Sequence, residues 1–420
     1  MRLIIYNIIV YLILPLTIIK LVYRGIKNKD YLNGWSERFA IYPDSEKNKW
    51  LKRKTLWVHC VSVGETKAIY RLLEQLQKKY PRAHFLITHG TPTGKKVVLP
   101  KNKNIHRAYL PYDAIDLVKK FLKFYRPTVG ILLEKEIWPN LINQCSHKKI
   151  PLLLINGRLS NKSIKNYKRF KNFYAPLLNK LSTICVQSES DKKNFEQLTN
   201  NKIQVMGNLK FDQIPPKETV QNSKKLKHDL MIEEQIVIVA GSTREGEEEI
   251  ILNEILKMNK KNISLILTPR HPERFSKVES LLKSKNVKFA KRSEVSSIKS
   301  TPNFILGDSM NEMYMYYELA NVVIVGGSFL NYGSQNPIEP LKMKKPTIIG
   351  PSVFNFKDII LGAIKSKAAI QINHINELPR TISRLSNLET QNSMIEKSKD
   401  FISRSEGSSR KNLKIISQYF

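Results

Sequence analysis

Cysteine is scarce in this 420-residue chain: three residues, Cys60, Cys145 and Cys185, exclude a disulfide framework, and no CxxC spacing offers a zinc site. Two of them sit in apolar, strand-like runs where buried free thiols are common, which fits a reducing compartment. Acidic residues are also few, 36 Asp+Glu against 70 Lys+Arg, for a net charge of +34. No Asp-x-Asp occurs, so the usual arrangement for a metal-bound diphosphate is missing and no metal site is expected. No Gly-x-Gly-x-x-Gly follows a strand-like run, which disfavours a dinucleotide cofactor. The stretch His89-Gly-Thr-Pro-Thr-Gly-Lys-Lys96 fails as a P-loop, because its glycines are too close and no Ser/Thr follows the lysine.

Long apolar runs are absent except at the start. Residues 3–23 are broken only by Asn7, Pro15, Thr17 and Lys20 among weakly polar tyrosines, about the length that a bilayer-spanning helix needs. Arg24, Lys27 and Lys29 follow, which by the positive-inside rule leaves the remainder cytoplasmic. Without a small-residue cleavage site, residues 1–24 read as a membrane anchor, and both a span and an interfacial helix fit. The basic excess calls for an acidic partner, membrane or nucleic acid. The lysines are spread in KK and KxK pairs and are not interleaved with aromatics, which argues against a nucleic-acid module.

Beyond the anchor, short continuous apolar runs alternate with amphipathic stretches. Runs at 56–61, 85–88, 129–133, 152–155 and 184–186, with helical patterns at 67–79 and 163–180, predict a parallel sheet covered on both faces. A polar, proline-bearing stretch follows, and a second series begins with runs at 236–240, 263–268, 303–306, 322–325 and 347–349. The expected architecture is α/β: two doubly wound, Rossmann-like domains with a cleft between them, at 25–211 and 233–420, joined by a linker at 212–232.

Ligands of such sheets bind at the carboxyl ends of strands, and polar motifs cluster there. Val61-Ser-Val-Gly-Glu65 places a carboxylate in a first helical turn, where the helix dipole alone suffices to favour it and where it is also suited to a general base. Glu134-Lys-Glu-Ile-Trp-Pro-Asn140, Asn156-Gly-Arg158 and Gly207-Asn-Leu-Lys-Phe-Asp212 fall on the same rim. In the second half, Gly241-Ser-Thr-Arg-Glu-Gly-Glu247, Thr268-Pro-Arg-His-Pro-Glu-Arg274 and Gly307-Asp-Ser-Met-Asn-Glu312 hold the corresponding places. Arg270 can grip a phosphate, with His271 a weaker candidate donor. Val325-Gly-Gly-Ser-Phe-Leu-Asn-Tyr-Gly-Ser-Gln-Asn-Pro-Ile-Glu-Pro340 runs from a strand through paired glycines to a helix start, a loop suited to a nucleotide or nucleotide-sugar.

In this order the motifs resemble the Kdo (3-deoxy-D-manno-octulosonic acid) transferases from the anchor to about residue 360, through Ser-Val-Gly-Glu65, Glu134-x-Glu-x-Trp-Pro-Asn140, Pro269-Arg-His-Pro-Glu-Arg-Phe275 and Asn336-Pro-x-Glu339. Lys135, Gly157, Arg244 and Gln335 depart from the family's usual residues. The resemblance implies a GT-B fold and CMP-Kdo as donor substrate, with no cofactor. The implied acceptor is the lipid A precursor (lipid IVA) at the anionic cytoplasmic face of the inner membrane, for lipopolysaccharide synthesis. It implies an inverting, metal-independent transfer with Glu65 as base and Glu134 and Lys210 stabilising the transition state. The implied CMP-binding residues are Pro269, Arg270, Met310, Asn311, Glu312, Asn336, Pro337, Ile338 and Glu339. The nearest rival is a GT-B enzyme with a UDP-sugar donor.

Overall fold

The computed structural model describes residues 2–51 and 53–420 and divides into two compact units, Met1–Gln213 with Glu406–Phe420, and Ile214–Ser405. In the first unit seven strands form one parallel sheet: β1 (Thr55–Cys60), β2 (His84–His89), β3 (Ile105–Tyr109), β4 (Val129–Leu133), β5 (Leu152–Gly157), β6 (Thr183–Val186) and β7 (Ile203–Val205). Their order is β3-β2-β1-β4-β5-β6-β7. The second unit repeats the plan with β8 (Ile236–Thr243), β9 (Ile263–Pro269), β10 (Phe289–Lys291), β11 (Phe304–Leu306), β12 (Val322–Val325), β13 (Thr347–Ile349) and β14 (Ala369–Gln371), ordered β10-β11-β9-β8-β12-β13-β14.

The expected doubly wound domains are both present, and the continuous apolar runs became the strands buried on both faces. Two apolar layers sandwich each sheet: Trp57, Leu86 and Leu132 point to one side of the first sheet, Leu56, Val58 and Ile131 to the other. Trp57 is fully buried, donates Nε1–H to Thr88 Oγ1 at 2.8 Å, and fills the space that glycine leaves at Gly130, where a Cβ would lie 2.7 Å from its ring. The four strands without a sequence signal, β3, β7, β10 and β14, are the four sheet edges. They carry partly exposed residues and so lack an uninterrupted apolar run.

The expected boundaries shift in two places. The stretch expected as linker, 212–232, contains the helix Thr219–Asp229, whose Leu226 joins Leu230 and Ile232 in the second unit's core. Its apolar residues are too sparse for a visible period. The end of the chain, expected in the second domain, belongs to the first unit. There Ile415 and Ile416 complete its core, Asp212 accepts the Gly407 N–H at 2.7 Å, and Phe420 stacks edge-on with Tyr80. The N-terminal apolar segment is one helix, Arg2–Lys27, with Met1 outside the described residues.

Candidate active site

In each sheet the strand order reverses beside the first strand, between β1 and β4 and between β8 and β12. Loops diverge at such a switch point and leave a crevice at the carboxyl ends of the strands. Both sets of polar motifs lie along the carboxyl ends of their strands, with Glu65 after β1, Glu134 after β4 and the glycine loop after β12 beside these points.

In the first unit β1 leads into the helix Val63–Ala68. Ser62 caps it by accepting the Glu65 N–H at 3.3 Å, and Glu65 turns back to accept the Val61 N–H at 2.7 Å and the Ser62 hydroxyl at 3.0 Å. This reciprocal capping holds a carboxylate that is only 9% exposed. Burial, then the charge of Glu134, push its pKa up to about 7, against the pull of those two donors. The charge of Glu136 raises it further. A carboxylate poised near neutrality is matched to general base work.

Glu134 follows β4 with φ of +55°, a left-handed conformation costly for a residue with a Cβ and common where function fixes the chain. The turn is pinned by Glu134 N–H to Ile155 O at 3.1 Å and by Arg158 N–H to Glu134 O at 3.2 Å. Lys210 Nζ lies 3.7 Å from Glu134 Oε1, so the structure brings Glu65, Glu134 and Lys210 together. Glu136 accepts Trp138 Nε1–H at 2.7 Å, and burial raises its pKa. His59 Nε2 stands 4.0 Å from Glu136, but burial lowers the imidazole to about 3, so it is neutral and forms no ion pair.

A polar support holds Lys210, and one member of it, Gln187, was missed by sequence reasoning. Asn156, 2% exposed, accepts the Leu209 N–H at 3.0 Å, and Asn208 accepts the Lys210 N–H at 2.9 Å. Gln187 ties the two together, donating to Asn156 O at 3.0 Å and accepting from Asn208 Nδ2 at 2.8 Å. Asp113 was missed too. Its carboxylate caps the helix Pro139–His147 by accepting the Asn140 and Leu141 N–H groups at 2.9 Å each. Asn156 and Asn208 carried a signal, their place in the polar motifs at 156–158 and 207–212; Gln187 and Asp113 carried none.

In the second unit Glu247 organises the glycine loop. It is fully buried and accepts the N–H groups of Arg244 (2.8 Å), Gly327 (2.5 Å) and Phe329 (2.9 Å). Gly326 must be glycine, since a Cβ would lie 2.5 Å from Ser242 O. Arg270 is exposed just past β9. Beside it, Arg244 Nη1 meets His271 Nε2 at 2.8 Å and its guanidinium lies 4.8 Å over the Tyr332 ring. Burial, then Arg244 and Arg270, push the His271 pKa down. Glu312 is gripped by Arg292 at 3.1 and 3.2 Å, while Met310 and Asn311 are exposed. Asn336 accepts the Ile338 N–H and donates to Glu339, both at 3.2 Å. Pro269, Pro337 and Ile338 are buried, so these three offer backbone rather than side chain to a ligand.

The model of the family described as 3-Deoxy-D-manno-octulosonic-acid transferase (kdotransferase) matches residues 33–213. A 3-deoxy-D-manno-octulosonic acid transferase of Haemophilus influenzae is 32% identical over 379 residues, 89% of this chain and 88% of that protein. One of Rickettsia bellii is 31% identical over 425 residues, 99% of each. Among solved structures, a glycosyltransferase of Rickettsia africae superimposes with a TM-score of 0.58 at 14% identity, over 88% of this chain and 99% of that one, a likeness of fold. The two seven-stranded sheets are those of a GT-B glycosyltransferase.

Proposed function

The chain belongs to the Kdo transferase family of glycosyltransferases, and from that premise we propose that it transfers Kdo from CMP-Kdo to a hydroxyl of the lipid A precursor lipid IVA, with inversion, without a metal, and with Glu65 as general base. The observation that carries the reading is the Glu65 carboxylate itself: buried, held by two donors, raised to about 7, and next to the Glu134–Lys210 pair. A base of that pKa takes the proton of the attacking hydroxyl as the new C–O bond forms at the anomeric carbon. Glu134 and Lys210 are assigned to charge stabilisation at the reacting centre, and the sequence without Asp-x-Asp supports the metal-free reading.

The second unit is assigned the donor. Arg270 offers charge to the departing CMP phosphate, and Asn336 and Glu339 offer polar groups to the nucleoside. Pro269, Met310, Asn311, Glu312, Pro337 and Ile338 complete the assigned CMP surface, the buried ones through backbone. The apolar N-terminal helix and the basic excess support a place on the cytoplasmic face of the inner membrane, where a lipid acceptor resides.

The test is to assay Glu65→Ala for CMP binding by calorimetry and for Kdo transfer by mass spectrometry of the lipid product. Binding within about twofold of wild type with transfer lowered by at least ~10³ is expected from loss of a general base and its positioned charge. Near-normal transfer would remove Glu65 from the mechanism.

A further inference from the structure

The helix Arg2–Lys27 is long and apolar enough to cross a bilayer. Yet a stripe along it is sheltered by the first unit. Tyr6, Asn7, Val10, Leu14 and Thr17 are half-buried and Leu21 is buried; from Asn7 onward they are spaced three and four residues apart. The opposite face is exposed and apolar, with Leu12 at 71% and Ile26 at 78%. The sheltered stripe makes specific polar contacts. Tyr6 donates its hydroxyl to Asp113 Oδ2 at 2.8 Å and Asn7 Oδ1 accepts Asn140 Nδ2–H at 2.7 Å, while Tyr11, exposed beside the stripe, donates to Asp116. Val10 packs with Ala40, Ala114 and Leu117. Asn7, an oddity in an apolar run, thus meets Asn140, a fully buried amide.

Docking of this kind and spanning exclude one another. Tyr6 to Leu21 covers about 22 Å of helix at 1.5 Å per residue, most of a ~30 Å hydrocarbon core. A spanning helix would drag Asp113, Asp116 and Asn140 into the hydrocarbon or strip them of their partners, and a carboxylate in hydrocarbon costs several kcal/mol. An in-plane helix keeps every contact and still buries its exposed apolar face in the membrane.

A second feature adjoins the first. The helices Asn161–Arg169 and Lys171–Leu178 meet at Phe170, which is 57% exposed and flanked by exposed Lys168, Arg169 and Lys171. The next aromatic, Phe173, lies 5.9 Å from the ring of Tyr6, so the elbow neighbours the anchor helix. An exposed aromatic among cations fits the headgroup layer of an anionic membrane.

We propose that the N-terminal helix is a monotopic anchor lying in the membrane plane, docked on the first unit, and that the Lys168–Lys171 elbow meets anionic headgroups beside it. The proposal rests on the membrane attachment put forward above and specifies its geometry. The test uses the full chain with one epitope before Met1 and another after Phe420, in sealed inverted vesicles whose cytoplasmic face is outward. Protease added without detergent is expected to remove both epitopes. Protection of the first epitope alone would mean a span and overturn the in-plane reading. Failure of the chain to float with phosphatidylglycerol-rich vesicles would instead overturn the attachment itself. For the elbow, the combined change Lys168→Glu, Arg169→Glu and Lys171→Glu is expected to lower partition onto those vesicles at least about tenfold, with partition onto uncharged vesicles unchanged. Equal partition of variant and wild type onto anionic vesicles would remove the elbow from the membrane face.

Discussion

Glu65→Gln is predicted to abolish transfer and to stabilise the first unit, but only on the alkaline side. The folded carboxyl titrates at about 7, against 4.5 for the ordinary group, so ionisation is harder in the folded state. A shift of that size corresponds to about 3 kcal/mol at 1.36 kcal/mol per unit. For an acid with a raised folded pKa, stability is fully present below the unfolded value. It is lost as pH climbs from about 4.5 to about 7, and is level beyond that. Glutamine has no charge to bury, so it escapes this loss, and like the protonated acid it can accept the Val61 N–H and donate to the Ser62 hydroxyl. The variant should therefore be about 3 kcal/mol more stable than wild type near pH 8.5 and level with it near pH 4. The assay is urea unfolding followed by tryptophan fluorescence. The chain's four tryptophans, Trp35, Trp50, Trp57 and Trp138, all lie in the first unit, so the signal reports that unit alone. Such a gain moves the midpoint by about 1 M urea. A variant no more stable than wild type at pH 8.5 would show that Glu65 carries no burial cost and refute its tuning as a base.

Three further outcomes follow from the same geometry. The rate of transfer should rise with pH through about 7 as Glu65 loses its proton, and Glu134→Gln, by removing the neighbouring charge, should move that midpoint to lower pH; an unmoved midpoint in the pH–rate profile would mean the two carboxylates do not interact. Glu247→Ala leaves the N–H groups of Arg244, Gly327 and Phe329 without their acceptor. It should destabilise the second unit by about 3 kcal/mol or more and weaken CMP binding, checked by calorimetry and hydrogen exchange across the glycine loop. Arg270→Ala should weaken CMP at least about tenfold but leave cytidine unchanged, since only the phosphate loses its partner; equal losses for both ligands would place Arg270 elsewhere.

Much of the fold was legible, and its gaps have one cause. Strands covered on both faces must be apolar throughout, so the inner runs stood out, and β4 and β12 matched residue for residue. Edge strands are covered less completely and mix polar with apolar residues, which removes the signal. The last helix carries Ile415 and Ile416, but no local pattern says which of two cores they fill. At the site, Glu65 and Glu134 were visible because each follows an apolar run, and Lys210 through the family resemblance of its motif. Asp113 and Gln187 were not, because each acts through hydrogen bonds to residues distant in sequence.

The amino-acid sequence by itself determined the two doubly wound units, the apolar first helix, and the set of polar motifs at strand ends. Those properties follow from local periodicity and composition. Tertiary structure decided what the motifs do to one another: a carboxylate lifted to about 7 by burial and by Glu134, 69 residues away in the chain (134 − 65), with Lys210 facing that neighbour. It also decided that the first helix docks on the unit that follows it, because Asp113 and Asn140, more than a hundred residues away in sequence, supply partners for Tyr6 and Asn7. Electrostatics and packing depend on distance in space, and only the folded chain fixes that distance.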